Sequence, residues 1–88
     1  MTQKQTVTVY TKPNCQQCEM TKRWLIARDV DFQIADITED GNLAAAKALG
    51  HLAAPVVIVS QGTPGDEVHW AGFQPTRLDE SIRVGTAA

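Results

Sequence analysis

The stretch PVVIVS, residues 55–60, is a nearly unbroken run of β-branched residues between a proline and a cluster of turn formers. A strand that is apolar at successive positions has no face to give to water, so it must lie inside a sheet covered on both sides. A chain of 88 residues holds one modest core with which to do this. The remaining sequence therefore has to supply neighbouring strands and a layer of helix for each face.

It does so in regular order. Residues 5–10, QTVTVY, alternate polar and apolar side chains and read as a strand. Thr11 to Asn14 break it, with Pro13 as the punctuation. From Cys15 to about Asp29 the pattern turns helical. Met20 with Trp24, and Thr21 with Leu25, fall four apart and share a stripe that can face a sheet, while Ile26 lies off it. Asn14 is the expected N-cap, with Gln17 three residues later as in a capping box. Residues 31–37, DFQIADI, read as a second strand alternating through Phe32 and Ile34. Residues 38–41 can open a second helix with acidic residues in its first turn. The Ala-rich run that follows favours helix, and Gly50 is its expected stop. After the 55–60 strand, QGTPGD is dense in turn residues, so EVHW should return as a hairpin partner. A last helix fits residues 76–84, and 85–88 read as a frayed tail.

The order β-α-β-α-β-β-α, without repeat or linker, predicts a single α/β domain over 1–88. Two leading β-α units favour a parallel strand pair with a right-handed crossover, and the closing hairpin adds antiparallel pairing. The expected architecture is a four-stranded mixed sheet flanked by three helices. Cys15 and Cys18, the only cysteines, stand at C-x-x-C spacing between the first strand and the first helix. That placement is the thioredoxin-like redox arrangement.

Three chemistries compete for such a pair. As a staple it is weak, since a bridge three residues apart closes too short a loop to remove much unfolded-state entropy. As half of a metal site it lacks partners. Structural zinc takes four ligands, and His51 and His69, the only histidines, have no finger-like spacing to the pair. As a redox centre it is well placed. Unpaired amide N–H groups and partial positive charge at a helix N-terminus stabilise a thiolate on Cys15. Its pKa then falls from about 8.5 toward 7 or below. Lys12 is a further candidate for positive charge beside it. Cys18, one turn inside, is expected to be more buried and to act second. The Cys15 thiolate would attack a partner disulfide, and Cys18 would resolve the mixed disulfide and release the reduced partner.

Charge excludes other classes. Eight basic against ten acidic residues give a net charge of −2, with no basic cluster to hold a polyanion or an anionic membrane. No stretch approaches the ~18 apolar residues of a membrane span, and no N-terminal segment has the pattern of a secretory signal. The expectation is a cytoplasmic protein. In HWAGFQP, residues 69–75, Trp70 and Phe73 read either as core or as an exposed apolar lip for a partner. Pro55 reads as a strand-starting proline, and its composition alone does not make the preceding bond cis.

With these segments in view, the chain resembles the NrdH-redoxins, small glutaredoxin-like proteins with thioredoxin-like behaviour. The resemblance rests on VTVYTKPNCQQC, DITED, ALGHLAAPVV and HWAGFQP, spread over nearly the whole domain. It implies a thioredoxin fold with Cys15 as nucleophile, Cys18 as resolving thiol, and a cis bond between Ala54 and Pro55. It also implies docking of an extended partner segment beside that proline by strand addition. The docking residues expected are Lys12, Gln16, Gln17, Ala54, Pro55, Trp70, Ala71, Gly72 and Phe73. The implied partners are the large subunit of class Ib ribonucleotide reductase, as electron acceptor, and thioredoxin reductase, as donor. No cofactor beyond the disulfide, no metal and a monomeric state are expected.

The sequence departs from the family pattern in three places. The usual Trp-Ser-Gly-Phe-Arg-Pro stands here with Ala71 and Gln74, which removes a hydroxyl and a charge that could fix the loop. The hairpin SQGTPGDEV is longer than usual, and Trp24 stands where a smaller residue is expected. A glutathione-dependent glutaredoxin is the nearest rival. Its usual Pro-Tyr between the cysteines, Thr-Val before the cis proline, and acidic residue after a Gly-Gly pair are here Gln16-Gln17, Ala53-Ala54 and Trp-Ala-Gly-Phe. A metal-binding C-x-x-C module is the other alternative.

Overall fold

A computed structural model describes residues 5–62 and 65–82. The elements follow the expected order: β1 Thr6–Thr11, α1 Gln16–Ala27, β2 Gln33–Asp36, α2 Asp40–Ala48, β3 Val56–Ser60, β4 Val68–Ala71 and α3 Pro75–Ser81. The sheet runs β2-β1-β3-β4. β1 and β2 pair in parallel, while β1–β3 and β3–β4 are antiparallel. This is the four-stranded mixed sheet with three helices of the thioredoxin-like fold.

The register explains the run at 55–60. Val7 stands opposite Val59, and Val9 opposite Val57, which in turn faces Trp70 on β4. All five join Trp24 and Leu25 of α1 and Leu78 and Ile82 of α3 in one core cluster. The alternate positions turn to the other face. There Val56 packs with Ile37 and with Ala46 of α2, edged by Tyr10, Ala54, Ile58 and Ala71. β3 is thus covered on both sides, as its sequence requires.

Helix ends were partly legible. α2 stops at Gly50, whose φ of 87° is a conformation glycine adopts without penalty. Gly50 N donates to Lys47 O, and His51 N to Ala46 O, closing a Schellman motif. The start of α1 differs from expectation. Asn14 is not its N-cap; it takes a left-handed φ of 57°, which asparagine tolerates. The cap is Cys15, extended at φ −108°, whose sulfur accepts from Cys18 N. Asn14 thus turns the chain out of β1, and the cap passes to the next residue.

Other expectations are corrected by position in the layers. Ile26 is exposed as expected, and Thr21, Trp24 and Leu25 are buried, but Met20 is 41% exposed. The buried stripe of α1 therefore runs through Cys18, Thr21, Trp24 and Leu25. Ile34 is 55% exposed. β2 has one neighbour, so its side chains pack from one side only. The buried residues around β2 are Val30 and Ile37, beyond its two ends. α3 ends at Ser81, where Ile82 turns extended and inserts into the core. Residues 83–84 of the expected last helix, the tail 85–88 and part of the 61–66 turn lie outside the described residues. Trp24 fills its site with the Arg28 guanidinium 4.0 Å from its ring centroid.

Candidate redox site

The site assembles where three chain segments end together: the C-terminus of β1, the loop into β3, and the C-terminus of β4. Cys15 and Cys18 are joined by a disulfide with their Cα atoms 5.2 Å apart. Helical geometry places residues three apart on one face, and a cap residue just outside the first turn brings the sulfurs within bonding reach. Cys15 is half-buried, whereas Cys18 is 1% exposed. One sulfur can thus be reached from outside and the other is shielded. The Cys18 amide donates to Cys15 Sγ at 3.1 Å. After reduction the same donor faces the atom that would carry negative charge.

A shallow surface recess at Cys15 is lined by Asn14, Gln16 and Glu19. Glu19 is paired with Lys22 at 2.6 Å on the helix surface, so its carboxylate is partly offset near Cys15. Asn14 and Glu19 were not expected at the site. Their closeness in sequence to the two cysteines is the signal that points to them. Lys12, before the motif, and Gln16, within it, are exposed. Thr21, fully buried, returns its hydroxyl to Gln17 O at 2.9 Å, which satisfies that polar group inside the core.

The distant segments meet here too. Ala54–Pro55 is a cis peptide, with Pro55 buried and Ala54 half-buried. Gly72 N donates to Pro55 O at 2.8 Å, extending the pairing of β4 with β3 past Ala71. Gly72 sits at φ 87°, the left-handed region that favours glycine. The next amide, Phe73 N, donates to Gln17 Oε1 at 2.9 Å. Gln17, within the C-x-x-C motif, is therefore linked through Phe73 and Gly72 to Pro55 in one connected rim. Gln74, which replaces the family's arginine, donates its side-chain amide to Ala71 O at 2.8 Å and folds the loop back on itself.

Trp70 does not belong to an exposed lip. Its side chain is 2% exposed and lies in the core beneath the rim, with Arg77 over its ring at 5.6 Å. Phe73 is half-buried against that core. The reason is the strand register: Trp70 faces Val57 on the side covered by α1 and α3, whereas Phe73 lies past the strand end. His51 and His69 are hydrogen-bonded to each other, Nε2 to Nδ1 at 2.8 Å. They tie the loop before Ala54 to β4. Among the described residues, no group of three or more His, Cys, Asp or Glu side chains is arranged to hold a metal ion. No helix there is long and apolar enough to cross a membrane.

Comparison with known proteins agrees with this geometry. The family model described as Glutaredoxin matches residues 7–62, more than half of the chain. The glutaredoxin-like protein NrdH of Lactococcus lactis subsp. cremoris is 36% identical over 73 residues, covering 82% of this chain and 93% of its own. The Gene 56 protein of Mycobacterium phage L5 is 37% identical over 84 residues, covering 93% and 77%. The solved structure of the NrdH-redoxin from Escherichia coli superposes with a TM-score of 0.71 at 31% identity, covering 91% of this chain and 99% of that one. That protein is described as glutaredoxin-like with a thioredoxin-like activity profile. With its Cys15–Cys18 disulfide at the head of α1, this chain belongs to the glutaredoxin family, in the NrdH-redoxin group.

Proposed function

We propose that this NrdH-like redox protein carries two electrons from thioredoxin reductase to class Ib ribonucleotide reductase, in a cytoplasmic setting and with no cofactor besides its own disulfide. The Cys15 thiolate attacks a sulfur of the acceptor disulfide, forming a mixed disulfide and releasing one acceptor thiolate. Cys18 then attacks Cys15 Sγ, re-forming the internal disulfide and releasing the second acceptor thiolate. Two electrons pass to the acceptor; of the two protons its thiolates take up, one comes from Cys18 and the other from solvent, where Cys15 released it on ionising. Re-reduction by the flavoenzyme runs the same exchanges in reverse.

The observation that carries the choice of electron source is the rim at Gly72–Phe73. Its two successive backbone N–H groups are taken by Pro55 O and Gln17 Oε1, and no acidic residue directly follows Gly72 to meet the amino group of glutathione. Strand addition beside Ala54–Pro55 suits an extended protein segment, such as a cysteine-bearing tail, better than a tripeptide. The thioredoxin-like profile of the Escherichia coli relative supports the same choice.

The test is a coupled assay following NADPH consumption with a protein disulfide as acceptor. One arm contains thioredoxin reductase, and the other glutathione with its reductase. Turnover in the first arm is expected. Turnover confined to the glutathione arm would overturn the electron source. Turnover in neither arm, with zinc bound to the purified protein, would favour a metal-binding role.

A further inference from the structure

Gln17 combines two properties. It is a spacer residue of the C-x-x-C motif, two residues after Cys15, and its side-chain oxygen is committed to a backbone amide 56 residues away in sequence. The donor is a main-chain N–H, so the acceptor must be Oε1, and the orientation of the amide follows. The bond lies at the surface, so an incoming ligand meets the same N–H. Left-handed Gly72 turns its own N–H to Pro55 O, which leaves the Phe73 N–H as the next donor along the rim. Pro75, two residues on, has none. A free backbone N–H after a left-handed glycine can donate to a carboxylate. Gln17 occupies it with a neutral amide oxygen.

We propose that Gln17 sets the substrate preference of Cys15 by occupying the Phe73 N–H, closing the rim to small disulfides that carry a carboxylate. This deepens the reading given above and rests on it only for the identity of the natural partner. Protein disulfides presented as an extended segment pair beside Ala54–Pro55 and do not need that donor. A carboxylate-bearing small disulfide finds its acceptor site already filled and gains nothing beyond the exchange chemistry.

The test uses the full chain, pre-reduced and freed of reductant, in single-turnover reactions without any reductase. The acceptors are oxidised glutathione and the same compound with its carboxylates esterified. In each reaction one substrate S–S bond is broken, the Cys15–Cys18 bond forms, and two thiols are released. The quantity read is the ratio of rate constants, acid over ester. Gln17→Ala and the near-isosteric Gln17→Met both free the donor, and each should raise the ratio by about tenfold, the worth of one hydrogen bond to a charged group. Gln17→Glu keeps an acceptor on Phe73 N and should leave the ratio at or below that of the parent chain.

A general loosening of the fold would move both rate constants together and leave the ratio fixed. An unchanged ratio in folded Gln17→Met, or a rise in Gln17→Glu equal to that in Gln17→Ala, overturns the proposal. Failure of the thioredoxin reductase assay with a shifted ratio here would displace the electron donor and leave the role of Gln17 standing.

Discussion

Replacing Gly72 by alanine tests the rim from the backbone side. At φ 87° an L-residue costs about 1–2 kcal/mol relative to glycine. The new methyl would stand 3.2 Å from Gln17 Oε1, tighter than an ordinary contact. The glutamine can withdraw, but only by stretching or giving up its bond to Phe73 N, worth about 1 kcal/mol. Against this, alanine lowers the entropy of the unfolded chain and returns about 0.4–1 kcal/mol. The net expectation is a destabilisation of about 1–2 kcal/mol, which for a domain of this size lowers the melting temperature by roughly 5–15 °C. Denaturant melts of Gly72→Ala, Gln17→Ala and the double variant form a cycle. With Gln17 truncated, the contact vanishes and only the backbone strain remains. Gly72→Ala should then cost about 0.5–1 kcal/mol less than in the parent. Equal costs in both backgrounds would refute the link between Gln17 and the Gly72 turn, and a net cost near zero would refute the strain.

Three further outcomes are expected. Cys18→Ser should trap a covalent mixed disulfide through Cys15 with a protein disulfide acceptor, visible on non-reducing gels and by mass, while Cys15→Ser should form none; normal turnover by Cys18→Ser would break the two-step scheme. The buried Nε1 of Trp70 has no hydrogen-bond partner among the described residues, so Trp70→Phe removes an unsatisfied donor along with some packing. It should cost at most about 1 kcal/mol in a thermal melt, well below the 3–5 kcal/mol of a Trp→Ala truncation at a core site. Asp36 has its carboxyl held below the usual 3.8 by hydrogen bonds from the Thr38 hydroxyl and amide. A depressed carboxylate pKa gives stability that is present above 3.8 and lost as pH falls through the folded value. The acid limb of stability should therefore flatten in Asp36→Asn, and Thr38→Ala should raise the Asp36 pKa in a carboxyl NMR titration.

What the sequence could convey depended on the range of the interaction. Element order, the two-sided burial of 55–60, the glycine stop of α2 and the position of the dithiol are all local or periodic signals, and the fold follows them. The cap of α1 went to Cys15 because Asn14 was needed for a left-handed turn out of β1, and a capping preference cannot rank two competing neighbours. Ile34 fits the alternation of a strand, yet its exposure depends on β2 lying at the sheet edge, a tertiary fact. Trp70 and Phe73 look alike in sequence; only the register of β4 against β3 places one in the core and leaves the other on the rim. The bond from Gln17 to Phe73 joins the first turn of α1 to the loop after β4, with no sequence pattern between them, so it was not legible before the fold was known.

The α2 helix buries only the small side chain of Ala46, where α1 buries Cys18, Thr21, Trp24 and Leu25, and the shorter α3 buries Leu78 with Ile82 just past its end. Little apolar surface would be lost to water if α2 opened, so it should be the first helix to exchange its amide hydrogens under native conditions. The disulfide sits at the head of α1, whose Trp24 and Leu25 join the larger core, while Ala54 and Ala71 edge the smaller cluster that Ala46 of α2 helps close. α2 is thus a cheaply opened segment on the face of the sheet opposite α1. Sub-global unfolding of α2 can expose a protease-sensitive stretch while Cys15 and Cys18 keep their geometry.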